Sequence, residues 1–170
     1  MAKRKSVEGK DLMLFLDNKT IALSNSCTLN VSRDMDESSS KDDGVYRTVT
    51  PGNISWDISA DSLFSPDPAA DGDKQVSWVE MLKAEIEGKE LVAWFTIVSN
   101  PSAAGLPSDG WTPKEGVGVK GKVYVNNTSA TGAKGSASSL SLSFTGNGPL
   151  EFPGATQAAN SEPAQQGNGE

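Results

Sequence analysis

The sequence predicts a mainly β protein, an antiparallel β-sandwich or partly open barrel with one flanking α-helix. Three observations predict it. Apolar and polar residues alternate with a period of two in several short runs, the mark of a strand with one buried face. The 17 glycines and 9 prolines of the 170-residue chain punctuate those runs with turns. Only one segment carries a helical period, and ten residues or so of helix need a sheet to lie on.

The elements follow in chain order. Residues 1–8 are polar and read as an N-terminal arm, and residues 9–152 as the folded domain. Leu12 to Leu16 is apolar at every position, so both faces of that strand should be covered. Asp17-Asn18-Lys19 is a turn, and Ile21 and Leu23 restart a strand. Cys27, Leu29 and Val31 alternate with Thr28, Asn30 and Ser32. Residues 33–44 read as an acidic loop. Ile54, Trp56 and Ile58 then alternate with Ser55, Asp57 and Ser59. Ser77 and Glu80 have capping-box spacing, with Val76 and Met81 as a hydrophobic staple. Val79, Leu82 and Ile86 form the expected apolar stripe, and Gly88 is placed to close the helix.

Residues 91–98 are apolar on both faces, covered within the fold or by a neighbouring subunit. Residues 100–115 form a Pro/Gly-rich loop. Val117, Val119, Val123 and Val125 alternate with Lys120, Lys122 and Tyr124. Residues 126–135 read as a hairpin tip, followed by a strand of Leu140, Leu142 and Phe144 alternating with serines. Residues 153–170 lack apolar anchors and read as a mobile tail. The count is about seven strands and one helix, packed around Trp56, Leu82, Ile86, Phe95, Leu142 and Phe144 as core anchors.

Composition narrows the function. The net charge is −7, which argues against gripping a phosphate backbone and suits a surface past which DNA slides without sticking. The chain has 0 histidines, which removes Ser-His and Cys-His triads and the usual zinc sets. Its one cysteine, Cys27, falls in register with the apolar Leu29 and Val31 and reads as a small core residue. The 12–16 stretch is too short for a signal-peptide core or a membrane span, so synthesis in a cytoplasm and no membrane partner are expected.

Each motif with a chemical flavour has a plainer reading. Gly116-x-Gly118-x-x-Gly121 has dinucleotide spacing but runs into a strand, with no helix N-terminus to hold a pyrophosphate. Asp67, Asp71 and Asp73 lack calcium-loop spacing and a terminal Glu, and read as a solvated loop. Asp57 and Asp61 share the polar side of one strand and read as surface charge. No catalytic residue, metal site or cofactor is expected. The loop acids Asp34, Asp36, Glu37, Asp42 and Asp43 read as a solubilising hairpin or, in a ring assembly, as an inter-subunit or inter-ring contact. Lys114, Lys120, Lys122 and Lys134 read as salt-bridge partners for an acidic neighbour.

Four pieces, taken in order, resemble the major tail protein, or tail tube protein, of long-tailed phages, in particular its TP901-1-like group. The first is the opening hairpin, Gly9-Lys-Asp-Leu-Met-Leu-Phe-Leu-Asp17 followed by Lys19-Thr-Ile-Ala22. The second is Ser26-Cys-Thr-Leu-Asn-Val-Ser32 with the acidic, serine-rich loop ending at Gly44. The third is Pro51-Gly-Asn-Ile-Ser-Trp-Asp-Ile-Ser59, similar to the family's Pro-Gly-x-x-x-Trp strand. The fourth is the late strand from Leu140 with its Gly146-Asn-Gly-Pro-Leu150 end. The resemblance spans residues 9–150.

It implies a non-enzymatic virion protein forming hexameric rings that stack into a hollow tail, the conduit for DNA ejection. A long hairpin of each subunit would join a continuous barrel lining the lumen. The implied partners are other copies of the chain and the tail terminator, tail-tip and tape measure proteins. Inter-ring contacts are expected from the N-terminal arm and residues 34–50. The alternatives are the inner tube of a contractile injection machine and a β-sandwich carbohydrate- or host-surface-binding module. The latter would stack ligand on Trp78, Trp94 or Trp111.

Overall fold

A computed structural model describes residues 6–38, 46–65 and 73–154. After a 3-10 turn at Gly9–Asp11 come β1 (Leu12–Leu16), β2 (Lys19–Ile21), β3 (Ser24–Glu37) and β4 (Val49–Leu63). These are followed by β5 (Gln75–Val76), α1 (Trp78–Glu87), β6 (Glu90–Ile97), β7 (Val119–Thr131) and β8 (Ser139–Glu151). The protein is mainly β with one helix, as the alternating pattern predicts. The strands form one sheet of order β3-β4-β8-β7-β6-β1-β2-β5. Every pairing is antiparallel except that of β2 with β5.

The sheet curls on itself. β2 lies near one edge and β3 forms the other, yet only Ala22 and Leu23 separate them. Three trans peptide steps span at most about 11 Å, so the two edges must approach. Backbone bonds fix the crossing: Ala22 N–H donates to Val76 O at 3.3 Å and Leu63 N–H to Leu23 O at 3.1 Å. The Cys27 thiol donates to Leu12 O at 3.6 Å from the strand opposite. Leu23 takes a left-handed φ of 53° at this corner. The result is a partly open barrel with its apolar faces turned inward.

That inner face holds Leu14 and Leu16 of β1, Leu91 and Ala93 of β6, and Val123 and Val125 of β7. Leu140, Leu142 and Phe144 of β8 and Trp56, Ile58 and Ala60 of β4 complete it. Burying an aliphatic or aromatic side chain of this size is worth about 1.5–3 kcal/mol. Leu14, Phe15 and Leu16 are all buried, so both faces of β1 are covered within the single chain. The β1–β2 turn is the two-residue kind expected from Asp17-Asn18, both with positive φ. Asp17 Oδ1 also accepts from Val92 N–H at 3.0 Å, pinning the turn to β6.

Trp56 fixes the base of the β3–β4 hairpin. Its ring lies over Gly121 and Gly146, where added Cβ atoms would strike the indole. Its Nε1–H donates to Gly148 O at 2.9 Å. The Gly-x-Gly-x-x-Gly spacing thus serves packing: Gly118 lies against Phe95 O and Thr96, and Gly121 under Trp56.

Helix α1 starts at Ser77, whose N–H donates to Glu80 Oε2 at 3.0 Å. It ends at Gly88 with φ 62°. Its buried residues are Met81 and Ala84. Ile86 is therefore not a core anchor: it is 77% exposed. At 3.6 residues per turn it sits roughly 200° around the axis from Ala84, on the far side. Leu82 and Phe95 are half-buried. The expected 126–135 tip also shifts, because β7 continues through Thr131 in register with β8. The 33–44 loop is strand through Glu37, paired with Val49 and its neighbours. The arm expected over 1–8 and the tail over 153–170 fall largely outside the described residues.

Candidate assembly surface

β3 and β4 are the longest strands, 14 and 15 residues. β8 supports β4 only from Asp57 to Leu63. Beyond Trp56, among the described residues, the two strands pair with each other alone, Val31 opposite Trp56, Arg33 opposite Ile54 and Glu37 opposite Val49. The hairpin therefore leaves the body as a two-stranded arm.

The arm has two faces because side chains alternate along a strand. One face continues the core as Val31, Met35, Val49 and Ile54, with nothing among the described residues to cover it: Val31 is 54% exposed and Ile54 57%. Leu150 and Phe152 join Val31, Ile54 and Trp56 in lining one groove at its base. Glu37 falls on this side and pairs with Arg47 at 3.5 Å.

The opposite face is polar. Ser26 Oγ donates to Asp61 Oδ2 at 3.0 Å, Asn30 Nδ2 to Asp57 Oδ1 at 3.0 Å, and Ser32 and Ser55 hydroxyls meet at 2.9 Å. From β8, Ser141 Oγ donates to Asp61 Oδ1 at 2.7 Å. The same face continues through Ser139 opposite Thr131, Ser141 opposite Ser129 and Ser143 opposite Asn127. β4 and β8 contain no lysine or arginine, and the one arginine of β3, Arg33, alternates to the other side. A broad face of Ser, Thr, Asn and Asp results, with no fixed positive charge from these three strands. Asp57 and Asp61 are bound into its hydrogen bonding. Asp34 and Asp36 extend it along the arm, and Asp42 and Asp43 lie outside the described residues.

Among the described residues, this four-stranded surface has an unpaired edge on each side: β3 pairs with β4 alone, and β7 from Val125 to Thr131 pairs with β8 alone. Val119 to Tyr124 of β7 is taken by β6. At that corner Lys122 Nζ pairs with Glu90 Oε1 at 2.9 Å. Asn147 Nδ2 and the Tyr124 hydroxyl donate to Glu90 Oε2 at 2.9 and 3.3 Å. The Lys122 and Asn147 hydrogen bonds hold the Glu90 carboxyl below the usual range, and Glu90 raises Lys122. Lys120 Nζ lies 5.2 Å from the centre of the Trp94 ring. Trp94 Nε1–H donates to Val117 O at 3.1 Å.

The remaining features carry less. Cys27 is half-buried, and burial raises its thiol pKa, which suits the packing role expected of it. Trp78, Trp94 and Trp111 are half-buried on a helix, a strand and a loop. Among the described residues, no group of three His, Cys, Asp or Glu is placed to hold a metal ion. No described helix is long and apolar enough to cross a membrane.

Sequence reasoning missed the arm and the Lys120–Trp94 stack. The alternation of Arg33 and Met35 with Asp34 and Asp36 was the available signal for the first, masked by the density of charge.

A model of the phage tail tube protein family matches residues 6–152. No curated protein matches the chain. Among solved structures, the chain is similar to the tail of an empty gene transfer agent (GTA) particle of C6 symmetry. The TM-score is 0.64 at 20% identity, over 86% of this chain and 98% of that one. The virion of the native GTA particle gives 0.63 at 21% identity, over 86% and 98%. The SPP1 tail tube gives 0.59 at 12% identity, over 84% and 77%. These structural likenesses concern the fold. The family match covers nearly the whole described chain, and the chain belongs to the phage tail tube protein family.

Proposed function

We propose that this structural tail protein assembles as six-subunit rings stacked into a hollow tube, with the polar face of β3, β4, β8 and β7 turned to the lumen. One observation carries the reading: a polar, largely cation-free face bounded on both sides by unpaired strand edges. β3 runs antiparallel to β4, β4 to β8 and β8 to β7. With four alternating strands per subunit, cyclic symmetry sets β7 of one copy antiparallel to β3 of the next. Edge pairing then closes a continuous barrel and removes both edges. Lumen-facing Asp, Ser and Asn, with no lumen-facing Lys or Arg from three of the four strands, give DNA few counterion-displacing contacts.

The arm carries its apolar side against a neighbouring copy, and residues 34–50 contribute inter-subunit and inter-ring contacts. The N-terminal arm is assigned to the inter-ring contacts. The tail terminator, tail-tip and tape measure proteins are the further partners, after synthesis in the host cytoplasm. The role is structural and non-enzymatic. The narrower TP901-1-like grouping rests on the sequence resemblance.

Negative-stain electron microscopy of the concentrated protein tests the proposal. Tubes, or six-fold rings with a central hole, are the expected result. Deleting residues 36–44 should abolish them and leave a folded monomer. Normal tubes from that deletion would remove the arm from the assembly. A persistent monomer that binds glycans would favour the binding-module reading instead.

A further inference from the structure

We infer that the distal arm of each subunit docks across the β6–β7 corner of its ring neighbour, with Asp36 of the arm paired to Lys120 beside Trp94. The inference rests on the ring reading above and goes beyond it by naming where the distal half of β3 goes. The argument begins with strand lengths. β3 has 14 residues, but the free edge of β7 extends only from Val125 to Thr131, because β6 occupies the rest. An antiparallel junction therefore accommodates about half of β3. The remainder, the segment carrying Asp34, Asp36 and Glu37, overhangs the point where β6 joins β7.

What lies at that corner is matched to the overhang. Trp94, Lys120 and Lys122 stand on the same side of the sheet as the polar face, with Trp94 opposite Lys120 and Val92 opposite Lys122 in register. Lys122 already has Glu90 as its partner. Among the described residues, Lys120 has only the Trp94 ring. Glu151 stands opposite Lys120 in the β7–β8 register, yet no ion pair joins them among the described residues. Lys120 is half-buried and Asp36 exposed. On the arm, Glu37 is taken by Arg47, while Asp34 and Asp36 have no cationic partner among the described residues. Unlike charges thus meet where the strand lengths bring the two surfaces together, and steering of this kind fixes register more than it adds affinity.

The test is a charge exchange in the full-length chain. Lys120→Glu and Asp36→Lys, each alone, should raise the protein concentration needed for tubes roughly tenfold or more, because each places like charges together. The double variant should restore assembly toward wild type. Far-UV circular dichroism and thermal melting of each monomer separate this from misfolding. A second readout avoids the charge change. In a Cys27→Ser background, Asp36→Cys with Lys120→Cys should join neighbouring subunits through a short bismaleimide in intact tubes, giving a ladder up to the ring size. Single variants that assemble like wild type, or intact tubes that give no ladder, would overturn the docking and leave the ring reading standing. A wild-type chain that forms neither rings nor tubes, even when seeded with tail tips, would overturn both.

Discussion

The packing of Trp56 on glycine gives a sharp test of the fold's central joint. Gly146→Ala places a methyl against the indole, where the ring meets Gly121 as well. Overpacking of this kind is destabilising by about 1–3 kcal/mol. Trp56→Ala removes a 5%-exposed ring and the 2.9 Å bond to Gly148 O, and should be destabilising by about 3–5 kcal/mol. The two changes share one space, since the methyl added at position 146 enters volume the ring has vacated. The double variant should therefore be more stable than the sum predicts by roughly 2 kcal/mol. Urea unfolding of the monomer, followed by far-UV circular dichroism, measures all four corners of the cycle. Additivity within about 0.5 kcal/mol would show that the ring does not rest on Gly146. It would also remove the account of how the hairpin arm is anchored.

Two further predictions concern the surface. Val31→Ser with Ile54→Ser should change monomer stability by no more than about 0.5 kcal/mol, because both are already more than half exposed. The same pair should weaken tube formation strongly, measured by sedimentation against concentration; equal assembly would leave the apolar face of the arm without a partner. The Glu90 network should show in titration. Its carboxyl is held low by Lys122 and Asn147, so its contribution is present above the unfolded value of about 4.3 and disappears as pH falls through the folded value. Lys122 is raised, so its contribution holds below about 10.4 and is lost as pH rises through its folded value. Carboxyl-resolved NMR should find Glu90 titrating below the ordinary glutamate range, and Lys122→Ala should return it toward that range. An unshifted Glu90 in the wild-type chain would dissolve the network.

Much of the fold was legible because the pattern is local. A continuous apolar run located β1, alternation located the body of β3 and β4, β7 and β8, and the Ser77–Glu80 spacing with Gly88 located α1. What failed was the helix rotation. Val79, Leu82 and Ile86 form as good a stripe as the face centred on Met81 and Ala84. Only the fit of the helix against β7 chooses between them. The arm was hidden for a related reason. An extended pair that waits for a neighbour has no burial of its own within the chain, and its acids read as loop. The candidate surface was the least legible part, since strand edges are defined by which partner is missing, a property of topology and not of any residue.

The two bulges on the free edges have a kinetic consequence. Asn25 is the extra residue in β3 where its register slips against β4, and Asn126 is its counterpart in β7 against β8. Bulges twist an edge away from the flat geometry that a second chain needs. A lone subunit meeting another in solution must straighten both before the first ladder bond forms. In the proposed tube, an incoming subunit is held against the ring below while its edges straighten beside its neighbours. Elongation should then outrun nucleation by a wide margin, so that purified protein shows a lag that added tube ends abolish. The start of each tail would be dictated by a template and not by subunit concentration.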